Sequence, residues 1–153
     1  MENILKVSDM IDESFIIDLK SENKEDALNE LLDVICQSPL ITDCKTFRKE
    51  IFKREKLMST GIGYEIAIPH ARHKTVTDFV IALGRKKDGL EYASIDDKPV
   101  KLIFLIGASD KQDKDYIRLL SRLVLRLKNR DFILNLLNAK SSAEMYRSIV
   151  ETK

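Results

Sequence analysis

The sequence predicts an α/β fold, a single domain over residues 1–153 in which a mixed sheet of about five strands is flanked by helices on both faces. Three observations carry this. Short apolar, β-branched runs alternate with segments whose apolar residues recur at helical spacing. One run, residues 100–106 (VKLIFLI), is apolar almost throughout, as a central strand covered on both faces requires. The 153 residues contain no internal repeat, linker or low-complexity tract, and this length suits one core.

Residues 14–19 (SFIIDL) suit a strand, and the SEN that follows supplies turn and cap residues. Asn23, with Asp26 three residues on, predicts the start of a helix whose inner face is Leu28, Leu31, Leu32 and Ile35, ending before Pro39. A second helix is expected over residues 46–57, with Phe47 and Ile51 inward, Leu57 a further candidate for that face, and Lys49, Glu50 and Lys53 outward. Gly61 and Gly63 then predict a flexible turn, residues 65–68 a strand, and Pro69 the end of regular pairing just before His70. Residues 76–83 read as another strand, DGLEYASIDDKP as turns and a hairpin arm, and residues 100–106 as the sheet's centre. From Asp113 the pattern is helical, with Tyr116, Leu120, Leu123 and Leu127 on one face and Ile117 and Val124 beside them. A short helix through Phe132, Leu136 and Leu137 follows. Ser141 and Glu144 then form a capping box ahead of Met145, Tyr146, Ile149 and Val150.

Hydrophobic residues make up 44% and charged residues 33%, too apolar for a disordered chain and too charged for a membrane segment. The formal net charge of +1 gives no field of one sign to hold nucleic acid or an anionic bilayer, so neither is expected as a partner. The opening MENILKVSDM lacks the order of a secretory signal, and no stretch is long enough to span a bilayer; a cytoplasmic protein is expected. Cys36 and Cys44 lack CxxC spacing and surrounding histidines, and are expected to be reduced structural thiols.

The chain's two histidines, His70 and His73, fall within four residues of each other just after the glycine-containing turn. Neutral imidazole is nucleophilic near pH 7, and one ring nitrogen can attack while the other is fixed by a hydrogen bond. His70, behind Pro69 at a strand end, is the better placed acceptor for a phosphoryl group. Ser59, Thr60 and the glycines could offer hydroxyls and N–H groups to phosphate oxygens, and Arg54 could neutralise their charge. From spacing alone, a structural histidine beside a tight turn fits equally well. An HxxH pair can ligate a metal, but nothing near His73 completes a ligand set, so no metal or other cofactor is expected.

The segment from Arg54-Glu55-Lys56 through LMSTGIGYEIAIPHA resembles the signature of the fructose/mannitol-type enzyme IIA domains of the sugar phosphotransferase system, a family that includes free-standing nitrogen-regulatory IIA proteins. ALGRKKDGLEYASIDDKPVKLIFLI and SSAEMYRSIVE follow the same pattern, so the likeness covers essentially the whole chain. The resemblance implies that His70 accepts phosphate from the histidine phosphocarrier protein and passes it to a IIB domain, or signals to a regulatory protein by its phosphorylation state. It also implies Arg54 as the helix-end arginine and a five-stranded mixed sheet between helices. ALGR and HAR look like fructose-type members, whereas the lack of a fused IIB or transporter domain looks like the regulatory branch.

Three positions depart from the pattern: Met58 and Glu65 stand where glycine is usual, and Tyr116 where many members have a second histidine. A carboxylate near a phosphohistidine repels it unless it points away or pairs with a cation such as Arg54 or Arg72. Tyr116 can donate a hydrogen bond to a phosphoryl oxygen but cannot become a cation. These departures motivate a second reading, a non-phosphorylated binding module on the same fold. Arg118, Arg122, Arg126 and Arg130 repeat every four residues and are expected to line one side of the long helix, as a solvated stripe or a docking face for an acidic partner.

Overall fold

The computed structural model describes residues 7–151; the first six residues of the N-terminal opening discussed above lie outside the described residues. After a 3-10 turn at Val7–Asp9, the order is β1 (Ile11–Asp18), α1 (Lys24–Ile35), α2 (Cys44–Leu57), β2 (Gly61–Gly63), β3 (Ile66–Ala67) and β4 (His70–Arg72). Then come β5 (Val80–Leu90), β6 (Val100–Ala108), α3 (Asp113–Leu127), α4 (Arg130–Asn138) and α5 (Ser142–Glu151).

The sheet runs β1-β5-β6-β3-β2, and β4 joins it by pairing with β6 as well. β5 and β6 are antiparallel, whereas β1 lies parallel to β5, and β3 and β4 lie parallel to β6. Because β3 pairs at Leu102 and Ile103 and β4 at Ile106 to Ala108, the two form one strand position interrupted at Ile68 and Pro69. Six strands thus occupy the five positions that the sequence predicts.

Alternation along β5 and β6 sends side chains to opposite faces. Ile81, Leu83, Leu102, Phe104 and Ile106 pack against α3, α4 and α5; Val80, Ala82, Ile103 and Leu105 pack against α1 and α2. The sheet is therefore covered on both sides, and VKLIFLI is its buried centre.

Asn23 caps α1 by accepting from the Asp26 N–H at 2.8 Å, as its sequence predicts, and Asp43 does the same for α2 through Thr46, starting that helix two residues early. Ser141 accepts from the Glu144 N–H at 3.2 Å, while the Glu144 carboxylate reaches the Lys140 N–H instead of closing a reciprocal box. On α3 the buried line is Leu119, Leu123 and Leu127, with Tyr116, Leu120 and Val124 flanking it; Ile117 is 66% exposed and leaves the predicted inner face.

Three expectations are corrected. Cys36 and Cys44 are not free thiols: they form a disulfide with Cα atoms 5.6 Å apart. The connector folds back on itself, Ile41 N–H donating to the Ser38 carbonyl, and so returns the start of α2 to the end of α1. The turn expected at Gly61 and Gly63 falls instead on Tyr64 and Glu65, whose φ values of 59° and 68° give the two-residue hairpin loop between β2 and β3. Gly61 is a strand residue, and its lack of a side chain answers a close approach: a Cβ there would meet Ser94 at under 3 Å. Of the hairpin arm expected in DGLEYASIDDKP, only Asp88 to Leu90 is strand, as the end of β5 with Leu90 opposite Val100, and residues 91–99 are the connection to β6.

Arg85, only 1% exposed, ties three elements together. Opposite Asp18 on β1, it donates to both carboxylate oxygens at 2.6 and 3.0 Å, and its Nη1 donates to the carbonyls of Leu136 and Ala139 at 2.8 and 2.7 Å, capping the end of α4. The Arg85 hydrogen bonds hold the Asp18 carboxyl below its usual range. Replacing Arg85 with alanine strands those carbonyls in the interior, and urea unfolding is expected to show a loss of about 3 kcal/mol that lysine, lacking the fork, does not recover.

Candidate functional site

β4 forms an edge of the sheet, because β2 covers β3 alone. Along this edge lies a cleft of about 240 Å³ lined by Arg54 and Leu57 of α2, His70, Ala71 and Arg72 of β4, and Tyr116 of α3, with Glu50 and Lys53 at its rim. His70 and Arg72 are two apart on a strand and share a face, while Ala71 turns into the core. Two wider concavities, of about 580 and 590 Å³, contain neither histidine. Chemistry singles out the smaller cleft.

Nδ1 of His70 lies 2.6 Å from the carbonyl oxygen of Ile68. A carbonyl only accepts, so in the neutral ring the proton sits on Nδ1 and the lone pair on Nε2, on the far side of the ring. Burial pushes the His70 imidazole below its usual value near 6.5, more than the Ile68 hydrogen bond and the Glu55 charge raise it; Arg54 adds to the lowering. The ring is neutral at pH 7, as a nucleophile must be.

Arg54 donates from Nη1 to the Met58 carbonyl at 2.8 Å, which closes the end of α2 and holds the guanidinium at the cleft. Met58 is extended at φ −166°, a conformation any residue adopts, so glycine is not needed there. Tyr116 stands with its ring 6.0 Å from that of His70. Burial raises the Tyr116 phenol above its usual value, so it remains a hydrogen-bond donor. Sequence reasoning missed Arg72 as a cleft cation: its guanidinium lies 5.7 Å from the Tyr116 ring centre and is ion-paired with Asp113 at the start of α3. The signal was the i, i+2 spacing from His70.

Thr60 and Ser59, expected beside the phosphate, do not line the cleft. Thr60 is 4% exposed, and its hydroxyl donates to Glu55 Oε1 while its N–H donates to Glu55 Oε2 at 3.2 Å. Ser59 donates to the Tyr92 carbonyl at 3.3 Å and accepts from the Gly61 N–H at 3.2 Å. The Gly63 N–H is taken by Ser94 Oγ at 3.3 Å. The two hydroxyls of this segment and its Thr60, Gly61 and Gly63 N–H groups are therefore spent within the fold.

Glu65 points away from His70, pairing with Lys101 at 2.9 Å and lying 3.7 Å from Arg130. His73 is half-buried, accepting at Nδ1 from the Thr75 N–H at 3.2 Å, and among the described residues no cluster of three or more His, Cys, Asp or Glu could hold a metal. The arginine stripe splits: Arg126 donates to the Ile149 carbonyl at 2.9 Å and lies over Phe132, while Arg130 turns to Glu65. Among the described residues no helix is long and apolar enough to cross a membrane.

Because the native ring resists protonation, His70 is expected to titrate below 6.5 by NMR. Between that value and the native one, the unfolded chain binds a proton that the native state does not, so stability falls as pH falls through this window. Subtracting the pH–stability curve of His70→Gln from the wild type's should isolate this slope.

The sequence matches the family of the phosphoenolpyruvate-dependent sugar phosphotransferase system, EIIA 2, over residues 10–152. It is 34% identical over 138 residues to the fructose-specific EIIABC component of Bacillus subtilis, covering 90% of this chain but only 22% of that protein's length. It is 31% identical to the nitrogen regulatory protein of Escherichia coli, covering 86% of this chain and 81% of that one. The crystal structure of the nitrogen regulatory protein IIA-Ntr from Neisseria meningitidis superposes with a TM-score of 0.85 at 26% identity, covering 94% of this chain and 98% of that one. With the match running through the hairpin, the cleft and every helix, this chain belongs to the EIIA 2 family of the phosphoenolpyruvate-dependent sugar phosphotransferase system.

Proposed function

We propose that residues 1–153 act as one cytoplasmic phosphocarrier domain, in which Nε2 of His70 takes a phosphoryl group from the phosphohistidine of the histidine phosphocarrier protein and passes it on. The observation that carries this reading is the Nδ1 hydrogen bond to Ile68, which leaves Nε2 of a neutral ring as the nucleophile in a cleft flanked by Arg54 and Arg72. The N–P bond of the donor breaks as the Nε2–P bond forms, and the electron pair of the broken bond returns to the donor ring. The proton on Nδ1 stays in place, and the Ile68 carbonyl disperses the positive charge that the phosphorylated ring acquires.

The phosphohistidine of the donor and that formed on His70 are phosphoramidates of similar energy, so the work is positioning and charge stabilisation. Arg54 from α2 and Arg72 from β4 both line the cleft that holds the ring. Arg72 supplies the second positive charge that Tyr116 cannot, on exchanging Asp113 for a phosphoryl oxygen; Tyr116 donates from its phenol. No cofactor enters this scheme. The acceptor is a IIB domain, by analogy with the EIIABC relative, or a regulatory protein, by analogy with the nitrogen-regulatory ones.

Incubation with phosphoenolpyruvate, enzyme I and the histidine phosphocarrier protein is expected to add one acid-labile phosphoryl group by intact mass, absent in His70→Ala, with a phosphorus NMR shift belonging to the Nε2 isomer. Arg54→Ala should slow its formation by about a hundredfold. No adduct with a competent donor would instead support the docking module.

Glu65 is ion-paired and turned away from His70, so Glu65→Gly should leave the phosphorylation rate within about twofold and shift stability by no more than about 1 kcal/mol, relief of the positive φ offsetting the lost ion pair. A gain of tenfold or more in rate, in that variant or in Tyr116→His, would indicate a chain that has drifted from phosphotransfer.

A further inference from the structure

Glu55 is the most confined carboxylate near the cleft. Its side chain is 4% exposed, paired with Lys24 at 2.9 Å, and accepts from the Tyr92 hydroxyl at 3.0 Å as well as from the Thr60 hydroxyl and N–H. An apolar side chain would fill this space without the cost of taking a carboxylate out of water. The Thr60 N–H and hydroxyl bonded to Glu55 sit on the residue whose carbonyl accepts from the Ile68 N–H at 2.9 Å, and the Ile68 carbonyl in turn accepts from Nδ1 of His70 at 2.6 Å. Ile68 precedes Pro69, which confines it to extended backbone, and the Pro69 carbonyl accepts from the Ile106 N–H of β6 at 2.9 Å. The Ile68 carbonyl therefore has little freedom once Thr60 is fixed.

We infer that Glu55 is a positioning residue that sets the tautomer and ring orientation of His70 through this relay, Glu55 to Thr60, Thr60 to Ile68 and Ile68 to His70. The inference rests on the reading that Nε2 of His70 accepts the phosphoryl group, because it explains how that nitrogen is kept unprotonated. Metal-bound histidines depend on a comparable partner behind the second ring nitrogen, and losing it commonly costs ten- to a hundredfold in function. Here the partner is a backbone carbonyl, and Glu55 anchors the segment that presents it. Glu55 also follows Arg54 on α2, so one anchor joins the helix carrying the cation to the strand carrying the nucleophile.

The test is ring-nitrogen NMR of His70 in the unphosphorylated protein, read together with the rate of phosphorylation. Wild type is expected to hold the Nδ1–H form. Glu55→Leu should give mixed tautomers and a rate lower by about tenfold. Glu55→Gln, which keeps an acceptor for the Thr60 N–H, should restore both. Thr60→Val, near-isosteric and lacking only the hydroxyl, should shift the tautomer in the same direction but less, and keeps the question answerable if Glu55→Leu does not fold. Tyr92→Phe, which leaves the Glu55–Thr60 bonds intact, should not shift it.

An unchanged tautomer in both Glu55→Leu and Thr60→Val overturns the relay, as does an unchanged tautomer in Thr60→Val when Glu55→Leu cannot be studied. A Tyr92→Phe shift as large as that of Glu55→Leu also overturns it, since packing rather than the relay would then be responsible. A wild-type His70 that holds Nδ1–H but never takes phosphate would sink the carrier reading and leave the relay standing. A phosphorylated wild type whose tautomer ignores Glu55 would sink the relay alone.

Discussion

Everything in this molecule is registered on β6. It pairs antiparallel with β5 along most of its length, and on its other side it holds β3 and then β4 in parallel. A single strand can serve two consecutive partners on one edge only if the partner segment pauses, and Pro69 provides the pause by lacking an N–H to donate. The pause also frees the geometry in which the His70 ring turns back to the Ile68 carbonyl. The proline that interrupts the strand is thus the residue that lets the histidine leave the core pattern and meet a cleft.

Two buried charges handle the same physical problem differently. Arg85 is enclosed but has partners for its fork in a carboxylate and helix-end carbonyls, so it welds β1, β5 and α4 on the side away from the cleft. Glu55 is enclosed between α2 and Thr60 and bonds to the segment leading to His70. Both are desolvated, and each must be surrounded by donors or acceptors to be tolerated. The arrangement around Arg85 holds the fold, whereas that around Glu55 also connects to His70.

The cleft itself is an electrostatic compromise. Burial first, and the Arg54 charge after it, disfavour protonation of the His70 ring, and Arg54 and Arg72 both line the cleft, where cations favour a dianionic group such as the proposed phosphoryl. Asp113 is paired with Arg72, so the cleft does not hold two unpaired guanidinium groups. Glu65, a carboxylate that would oppose this balance, is carried off by the hairpin turn to Lys101 and Arg130.

Much of this was legible in the sequence because it is local. Helical spacing located α1 to α5, Asn23 announced its own cap, VKLIFLI could only be a central strand, and the STGIGYEIAIPHA segment pointed to His70. Other features depend on what packs where. The disulfide needs the fold-back between α1 and α2, the direction of Glu65 needs the positive φ of a two-residue hairpin, and the inward turn of Thr60 needs Glu55 one helix away. Arg85 could not be read as buried from a KK-flanked run, because burial of a charge is decided by partners distant in sequence. By itself, then, the sequence determined the periodicities, the central strand and the candidacy of His70, all set by neighbours within a few residues. Tertiary structure alone decided which nitrogen of His70 carries the proton, which cations face it and which hydroxyls are spent elsewhere, because each of those depends on a hydrogen bond or ion pair that only chain folding brings within reach.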